Sequence, residues 1–259
     1  AGGLLVVTPY YNKASQAGLL RHFQAVASSV SLPILLYSVP SRTGVSITPE
    51  TYAALAKIPN IVGVKEASGN LGNIQRTLAL CPEDFYIWSG NDDETVPICA
   101  LGGKGVISVA ANILPAEMHR LTQLCLQNDF AAAGKLQVRL KDFCDAMFCD
   151  VNPIPVKTAL GLLGWRVGEL RSPLCPPGPE NLARPVRTCD IAIDKKQRRP
   201  ELPGGASLTP PVPSVPLESL SVPLPGRRYR CSPHFPGQSR PTLCLPAPER
   251  RPDTHGPPA

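Results

Sequence analysis

An α/β fold with a parallel sheet is predicted for residues 1–171 by two observations. Short apolar runs rich in β-branched residues alternate with amphipathic segments, and one strand plus one helix recurs about every 25 residues. The apolar runs also lack polar alternation, which is typical of parallel strands covered on both faces. Five such units followed by helices fit either an open doubly wound sheet or part of a (β/α)8 barrel.

The predicted strands share a β-branched run that is bounded by turn residues. They are LLVVT (4–8), PILLYSV (33–39), NIVGVKE (60–66), FYIWSG (85–90) and GVISVA (105–110). No G-x-G-x-x-G motif follows any of them, and the sequence has no P-loop. Open sheets that bind nucleotides are therefore disfavoured.

The segments between the strands carry apolar residues at helical spacing. In SQAGLLRHFQAVASS (15–29), the apolar face consists of Leu19, Leu20, Phe23, Val26 and Ala27. Thr48 is predicted to cap the next helix, with Pro49 at its first position. Two shorter helices are predicted before the fifth strand and three helices after it, in 73–80, 93–103, 115–127, 130–148 and 153–164.

The sequence divides into a folded domain, residues 1–183, and a Pro/Arg-rich low-complexity tail, residues 184–259. Of the 31 prolines, 21 lie in residues 172–259, and most of the net charge of +6 lies there as well. Because the tail has no hydrophobic period, we expect it to be disordered or to be non-native sequence. Docking of its prolines on an SH3- or WW-type domain is an alternative. Because most of the positive charge lies in the tail, it indicates no nucleic-acid partner for the folded domain.

The nine cysteines form no C-x-x-C pair and have no zinc-like spacing with histidine, so no metal site is predicted. Their scattered, mostly apolar surroundings are typical of reduced thiols in the cytoplasm. No apolar run reaches the roughly 18 residues that a membrane-spanning helix needs, so we expect no membrane segment. The chain opens with Ala1 directly on a strand-like run, which we interpret as the sign of an N-terminal truncation.

Several residues lie at or directly after the carboxyl ends of predicted strands, where the active groups of parallel α/β folds collect. They are Tyr10, Tyr11, Tyr37, Lys65, Gly90 and Asn91. Tyr37 and Lys65 lie about one strand–helix unit apart, so adjacent strands would place a phenol beside an amine.

A phenol beside an amine is suited to Schiff-base chemistry. A partly desolvated lysine loses its charge more readily, and a neutral amine forms a Schiff base with a ketone. A tyrosine beside it can transfer the protons that these steps require. The alternatives are a solvated lysine at a strand end and an ordinary core tyrosine.

Six segments of the sequence closely resemble the 4-hydroxy-tetrahydrodipicolinate synthases (dihydrodipicolinate synthases). They are VTPYYNKASQAGLLRHF, PILLYSVPSRTG, NIVGVKEASGNL, SGND, GGKGVISVAANILP and NPIPVKTALGLLG, in matching order and spacing from residue 2 to about 183. This family belongs to the pyruvate-dependent class I aldolases and lyases. The resemblance implies a partial TIM (β/α)8 barrel, about strands 4–8, with a C-terminal helical extension.

The resemblance also implies roles for individual residues. Pyruvate would form a Schiff base with Lys65, without any separate cofactor, and Tyr37 would donate and accept protons. Arg42 would bind the carboxylate of aspartate semialdehyde, for which a guanidinium offers paired hydrogen bonds. Ile107 would contact pyruvate through its backbone.

Two adjacent tyrosines would act between subunits, according to the same resemblance. Tyr11 would relay protons into the site of the neighbouring subunit, in a homotetramer built from tight dimers. Tyr10 would lie near a lysine feedback site between subunits.

The implied reaction condenses pyruvate with L-aspartate 4-semialdehyde to 4-hydroxy-tetrahydrodipicolinate, in the diaminopimelate route of lysine biosynthesis. The alternatives are another pyruvate-dependent aldolase, of the N-acetylneuraminate lyase or 2-keto-3-deoxygluconate aldolase type, and a non-functional fragment. Arg42 within SVPSRTG favours the synthase.

Three departures from the family pattern affect what we expect of this chain. Ser38 stands where the family usually has asparagine, the G-T-T-G-E segment of an early strand is absent, and the tail replaces the usual final helix. Because a barrel without its first strands leaves apolar edges open, we expect the chain alone to be poorly soluble or inactive.

Overall fold

The computed structural model describes residues 1–182, which contain a four-stranded parallel sheet and eight α-helices. The strands are β1 (Leu4–Val7), β2 (Ile34–Ser38), β3 (Ile61–Glu66) and β4 (Tyr86–Ser89). All neighbours pair in parallel, in the order β1-β2-β3-β4. The predicted tail, residues 184–259, lies outside the described residues.

Five helices alternate with the strands or follow β4 closely, and three more complete the described residues. They are α1 (Gln16–Ser28), α2 (Pro40–Thr43), α3 (Pro49–Leu55), α4 (Leu71–Leu80), α5 (Thr95–Ala100), α6 (Pro115–Leu126), α7 (Phe130–Ala146) and α8 (Ile154–Leu162). The strand order follows the chain without the reversal that marks a doubly wound sheet. Of the two architectures that the sequence left open, the described residues follow the barrel type.

The predicted start of α3 is confirmed, and α1 also begins at a side-chain cap. The Ser15 hydroxyl accepts the backbone amide of Gly18 and caps α1, whose buried face is formed by Leu19, Phe23 and Ala27. Thr48 caps α3 with Pro49 at the first helical position. A short polar side chain at these positions satisfies amides that a helix start leaves without a partner.

The fifth predicted strand, residues 105–110, is reduced to a single bridge. Val106 pairs with Ser89 in parallel, and the amide of Ile107 donates to the Ser89 carbonyl at 2.9 Å. The chain then turns into a 3₁₀ segment at Ala110–Asn112, because the intervening amides bond to a side chain instead of a neighbouring strand. The prediction of a strand over residues 105–110 is therefore wrong, apart from the bridge at Val106.

The two faces of the sheet have different environments. Ile34 and Leu36 face the helices and are 0% exposed. The opposite face carries Leu5, which is 46% exposed, and the half-buried side chains of Tyr37 and Lys65. The prediction of strands covered on both faces is wrong for this second face, as far as the described residues extend.

Two hydrophobic clusters form the core. The first lies between the sheet and its flanking helices and includes Leu19, Phe23, Ile34, Leu36, Tyr52, Leu55 and Val64. The second joins the later helices and includes Met118, Leu121, Leu140, Phe143, Met147 and Val156. Fully burying one such side chain contributes about 1.5–3 kcal/mol. The helices after β4 therefore have a core of their own, without a strand.

Within residues 1–182, no helix combines the length and the apolar character that crossing a membrane requires.

Candidate active site

The structure brings Tyr37 and Lys65 together at the carboxyl end of the sheet. They occupy paired positions on the adjacent parallel strands β2 and β3. The Lys65 Nζ lies 4.2 Å from the centroid of the Tyr37 ring, so the ring face, a region of negative potential, supports the ammonium group. The predicted convergence of a phenol and an amine therefore agrees with the geometry.

Burial and nearby charges shift the pKa of both side chains. Burial lowers the pKa of the Lys65 ammonium from its ordinary value, Asp92 opposes that effect, and Arg42 adds to it. Burial raises the pKa of Tyr37, and Arg42 opposes that rise. A larger fraction of Lys65 is consequently the neutral, nucleophilic amine than for a solvated lysine.

Arg42 reaches this pair from the short helix α2, which the sequence did not predict. The Thr43 hydroxyl bonds the Val39 carbonyl, and Gly44 ends α2 in the left-handed region at φ 68°. The side chain of Arg42 is exposed, yet its charge acts on both Tyr37 and Lys65. An exposed guanidinium whose charge acts on the amine is well suited to hold a carboxylate.

Gly90, at the end of β4, permits close packing around Lys65. Its amide donates to the Glu66 carbonyl at 2.7 Å. A Cβ atom at position 90 would lie 2.6 Å from the Ala67 Cβ and 3.2 Å from the Lys65 Cε. Only glycine fits there without displacing its neighbours.

Asp92 is a site residue that sequence reasoning missed. Its side chain is buried, and its Oδ2 atom accepts the amides of Val109 at 3.2 Å and Ala110 at 2.9 Å. The Ile107 backbone, predicted to contact pyruvate, lies just before this turn. The available signal was an acidic residue two positions after a strand-end glycine, within the SGND segment.

Sequence reasoning also missed a hydrogen-bond network on the helix side of the sheet. It lies one residue beyond Tyr37 and Lys65, the reactive pair. The Tyr52 phenol donates to Glu66 Oε2 at 2.7 Å, and the Ser68 amide donates to Glu66 Oε1 at 2.8 Å. Burial raises the pKa of both Tyr52 and Glu66. Ser38, the residue that departs from the family pattern, is buried, and it lowers the raised pKa of the Tyr52 phenol.

Tyr10 and Tyr11 point to solvent and are not packed with Lys65 of the same chain. Tyr10 is 69% exposed and Tyr11 is 90% exposed. Tyr11 adopts a positive φ of 65°, which is uncommon for a bulky residue and turns the chain sharply after β1. Such exposed aromatic side chains are available to a second molecule.

Among residues 1–182, no three or more potential ligands of the His, Cys, Asp and Glu types lie together as a metal site would require.

Comparison with known proteins places this geometry in a family. Residues 1–188 match the model of the Dihydrodipicolinate synthetase family. The chain belongs to this family. The parallel sheet with flanking helices is accordingly the TIM-barrel-like α/β fold of dihydrodipicolinate synthases.

Similar proteins of the family include two 4-hydroxy-tetrahydrodipicolinate synthases. The one from Alkaliphilus oremlandii is 51% identical over 176 residues, which are 68% of this chain and 61% of that protein. The one from Clostridium novyi is 49% identical over 180 residues, 70% of this chain and 61% of that protein. This chain therefore spans about 61% of the length of these relatives.

Solved structures of the family have the same fold. The dihydrodipicolinate synthase from Aquifex aeolicus aligns with a TM-score of 0.73 at 42% identity, over 74% of this chain and 66% of that chain. The synthase from Thermotoga maritima aligns with a TM-score of 0.72 at 40% identity, over the same shares. A synthase from Cyanidioschyzon merolae, at 41% identity, was solved with lysine bound.

Proposed function

We propose that the site condenses pyruvate with L-aspartate 4-semialdehyde to give 4-hydroxy-tetrahydrodipicolinate, in lysine biosynthesis through diaminopimelate. The observation that carries this proposal is the Lys65 amine, half-buried and 4.2 Å above the Tyr37 ring. The names of the similar proteins favour the synthase over the sialic-acid and sugar-acid aldolases. Because the chain spans only part of these relatives, the activity of the whole protein is inferred for this chain.

The reaction begins at the Lys65 nitrogen. The neutral amine attacks the ketone carbon of pyruvate, and the resulting carbinolamine loses water to form a protonated imine. The imine is an electron sink, so the pyruvate methyl loses a proton and becomes an enamine carbon. That carbon forms a bond to the aldehyde carbon of the second substrate, whose amino group then attacks the imine carbon, closes the ring and frees the Lys65 amine. No separate cofactor is needed, because the imine itself accepts the electron pair.

Three other residues serve this sequence. Tyr37 moves protons to and from the reacting groups, as its position beside the Lys65 amine supports. Arg42 binds the carboxylate of aspartate semialdehyde, since its exposed guanidinium acts on both members of the pair. Ile107 contacts pyruvate through its backbone, and its amide is held at the end of β4 by the Ser89 carbonyl.

We further propose that Tyr11 and Tyr10 act between subunits of a homotetramer. Their exposure supports a role toward a second molecule, Tyr11 as a proton relay and Tyr10 beside a lysine feedback site. One solved family member is described as the first monomeric variant.

The barrel and domain assignments belong to the same proposal. We infer that residues 1–183 are a domain carrying about strands 4–8 of an eight-unit barrel, and that residues 184–259 are a separate Pro-rich region. The 66% coverage of the solved synthases supports a partial barrel. The free cysteines among the described residues support a cytoplasmic protein, where thiols stay reduced.

Borohydride trapping tests the function. The full chain is incubated with pyruvate and sodium borohydride, and its peptides are analysed by mass spectrometry. We expect a reduced pyruvate adduct on Lys65, which is absent from the Lys65→Arg variant. No adduct, or an adduct on another lysine, would contradict the Schiff-base role.

Consumption of the second substrate separates the synthase from related aldolases. Aspartate semialdehyde should discharge the enamine, whereas N-acetylmannosamine and glyceraldehyde should not. Adduct formation with turnover of a sugar aldehyde only would support the other aldolases instead.

A further inference from the structure

A buried carboxyl group lies directly after Lys65 in the chain and has no part in the function proposed above. It belongs to Glu66, the last residue of β3, which is 5% exposed. The Tyr52 phenol donates to its Oε2 atom at 2.7 Å, and the Ser68 amide donates to its Oε1 atom at 2.8 Å. Because donors from two separate segments converge on this carboxyl group, it holds the end of β3 from the helix side of the sheet.

The main chain at this point is bonded to both neighbouring strands. The Glu66 carbonyl accepts the amide of Gly90, directly after β4, at 2.7 Å. The amide of Ala67 donates to the carbonyl of Ser38, the last residue of β2, at 2.9 Å. The end of β3 is therefore anchored to the ends of β2 and β4 by its backbone, and to α3 by the Glu66 side chain.

This anchoring affects where the Lys65 amine lies. Successive side chains of a strand point to opposite faces, so Lys65 points away from Glu66 and toward the face that carries Tyr37. The Lys65 Nζ lies 4.2 Å from the centroid of the Tyr37 ring. The amine stands at the end of a four-carbon side chain. A small rotation of the β3 end therefore displaces the amine by more than it displaces the backbone.

We propose that Glu66 is a positioning residue for Lys65. Its two side-chain hydrogen bonds hold the end of β3, and this keeps the Lys65 nitrogen over the Tyr37 ring. The inference rests on the proposed function, in which that nitrogen attacks the ketone and Tyr37 transfers the protons. A misplacement of about 1 Å between reacting groups costs up to roughly 10²-fold in rate. Glu66 thus serves the first step through Lys65 and performs no chemistry itself.

Two substitutions at position 66 separate hydrogen bonding from charge. Glu66→Gln removes the charge, yet its oxygen can accept the Ser68 amide and its amide group can donate to the Tyr52 hydroxyl. Glu66→Leu removes both bonds at a similar volume. The matched control is Asn60→Ala, directly before β3. This change removes side-chain bonds to backbone carbonyls and weakens the opposite end of the same strand.

The first measurement locates the Lys65 amine without any substrate. In the full chain labelled with ¹³C-lysine, the Tyr37 ring should shift the ε-protons of Lys65 upfield, and the Lys65→Arg variant identifies their NMR signal. We expect Glu66→Leu to lose most of this shift, whereas Glu66→Gln and Asn60→Ala retain it. An unchanged shift in Glu66→Leu, or an equal loss in Glu66→Gln, would overturn the proposal.

The second measurement is the rate of borohydride trapping at Lys65 over a range of pyruvate concentrations. At saturating pyruvate, Glu66→Leu should be slower by about tenfold or more. The half-saturating concentration should change less than about twofold, because the Glu66 side chain lies on the helix side of the sheet. Asn60→Ala should keep the unaltered rate. An equal loss in Asn60→Ala would show that any weakening of the fold has this effect, and would refute a positioning role.

A milder variant covers the case in which circular dichroism shows that Glu66→Leu has not folded. Tyr52→Phe removes one of the two bonds and leaves the carboxyl group in place. It should reduce the ring shift of Lys65 in part, and an unchanged shift would count against the proposal. The NMR measurement needs no pyruvate. A chain that shows the ring shift but forms no pyruvate adduct would therefore reject the proposed function and not the positioning of the amine.

Discussion

Opposing effects on one nitrogen decide the reactivity of Lys65. Burial favours the amine, and the charge of Asp92 favours the ammonium group. Arg42 adds to the effect of burial from an exposed position on α2. The two charges that act on the amine come from different segments, so each can be removed separately by substitution.

Removing the charge of Arg42 should slow formation of the Schiff base near neutral pH. Arg42 lowers the pKa of Lys65 and of Tyr37, so Arg42→Gln raises both and leaves less neutral amine at a given pH. The expected loss in trapping rate is about two- to threefold at low salt, because the guanidinium is exposed and screened. The measurement is the borohydride-trapping rate with pyruvate across pH, at low and high salt.

Arg76→Gln is the control for this prediction. Arg76 is also exposed, and it pairs loosely with Glu50 at 3.8 Å, away from the reactive pair. Its trapping profile should match that of the unaltered chain. A shift of the Arg42→Gln profile toward lower pH would contradict the sign assigned here.

Individual site residues differed in how far the sequence could predict them. Tyr37 and Lys65 follow from strand spacing alone, since adjacent parallel strands place paired positions side by side. The SGND segment offers Asp92 as an acidic residue, but its bonds to Val109 and Ala110 could not be predicted, because they depend on where a non-adjacent turn folds. Their roles in catalysis stay predictions until the trapping experiments are done.

At the scale of elements, a polar network ties α3 to two strands. Tyr52 from α3 donates to Glu66 of β3, and the buried Ser38 of β2 acts on the pKa of Tyr52. Ser38 and Glu66 are paired in register directly after Tyr37 and Lys65. The network therefore holds the carboxyl ends of β2 and β3 in the alignment that brings the phenol to the amine.

Tyr52→Phe should destabilise the fold by about 1–3 kcal/mol. The change removes a hydroxyl donor from a buried carboxyl group, and Glu66 keeps only the Ser68 amide among the bonds described above. Urea unfolding measures the loss. Tyr86→Phe on β4 is the matched control, because Tyr86 is 39% exposed and should change stability by less than about 0.5 kcal/mol. Equal stability of the two variants would show that the network does not stabilise the fold.

Elements with strong local signals were predicted well, and short ones were not. The cap at Thr48 acts within one turn of its helix, so the sequence contains the whole signal. The four-residue α2 reads as a turn because Pro40 and Gly44 bound it closely. The strand predicted at 105–110 failed because a distant side chain competes for its amides.

For the whole molecule, the uncovered face of the sheet is the feature that most affects solubility and association between chains. Leu5 on the edge strand β1 is 46% exposed, and its backbone pairs on one side only among the described strands. Exposed apolar edges promote association between chains. The expectation that the chain is poorly soluble alone rests on this face, and it stays a prediction.

The chain should associate in a concentration-dependent way through this face. We expect light scattering after size exclusion to show masses above the monomer that rise with protein concentration. Leu5→Lys should reduce them, since a charge on an edge strand opposes pairing. Leu80→Lys, at a 36% exposed position on α4, is the control and should change the mass distribution little. One fixed mass at all concentrations would refute association through the sheet, and a stable tetramer would support the subunit contacts proposed for Tyr11.

The close approach of Gly90 to Lys65 has a thermodynamic consequence. A free lysine side chain carries roughly 2 kcal/mol of rotamer entropy. A Cβ atom added at position 90 would lie 3.2 Å from the Lys65 Cε, so Gly90 lies close to this side chain and removes part of that freedom when the chain folds. Attack on a carbonyl then requires less additional ordering of the nucleophile. Gly90, which has no side chain and performs no chemistry, thereby contributes to the activation entropy of the first step.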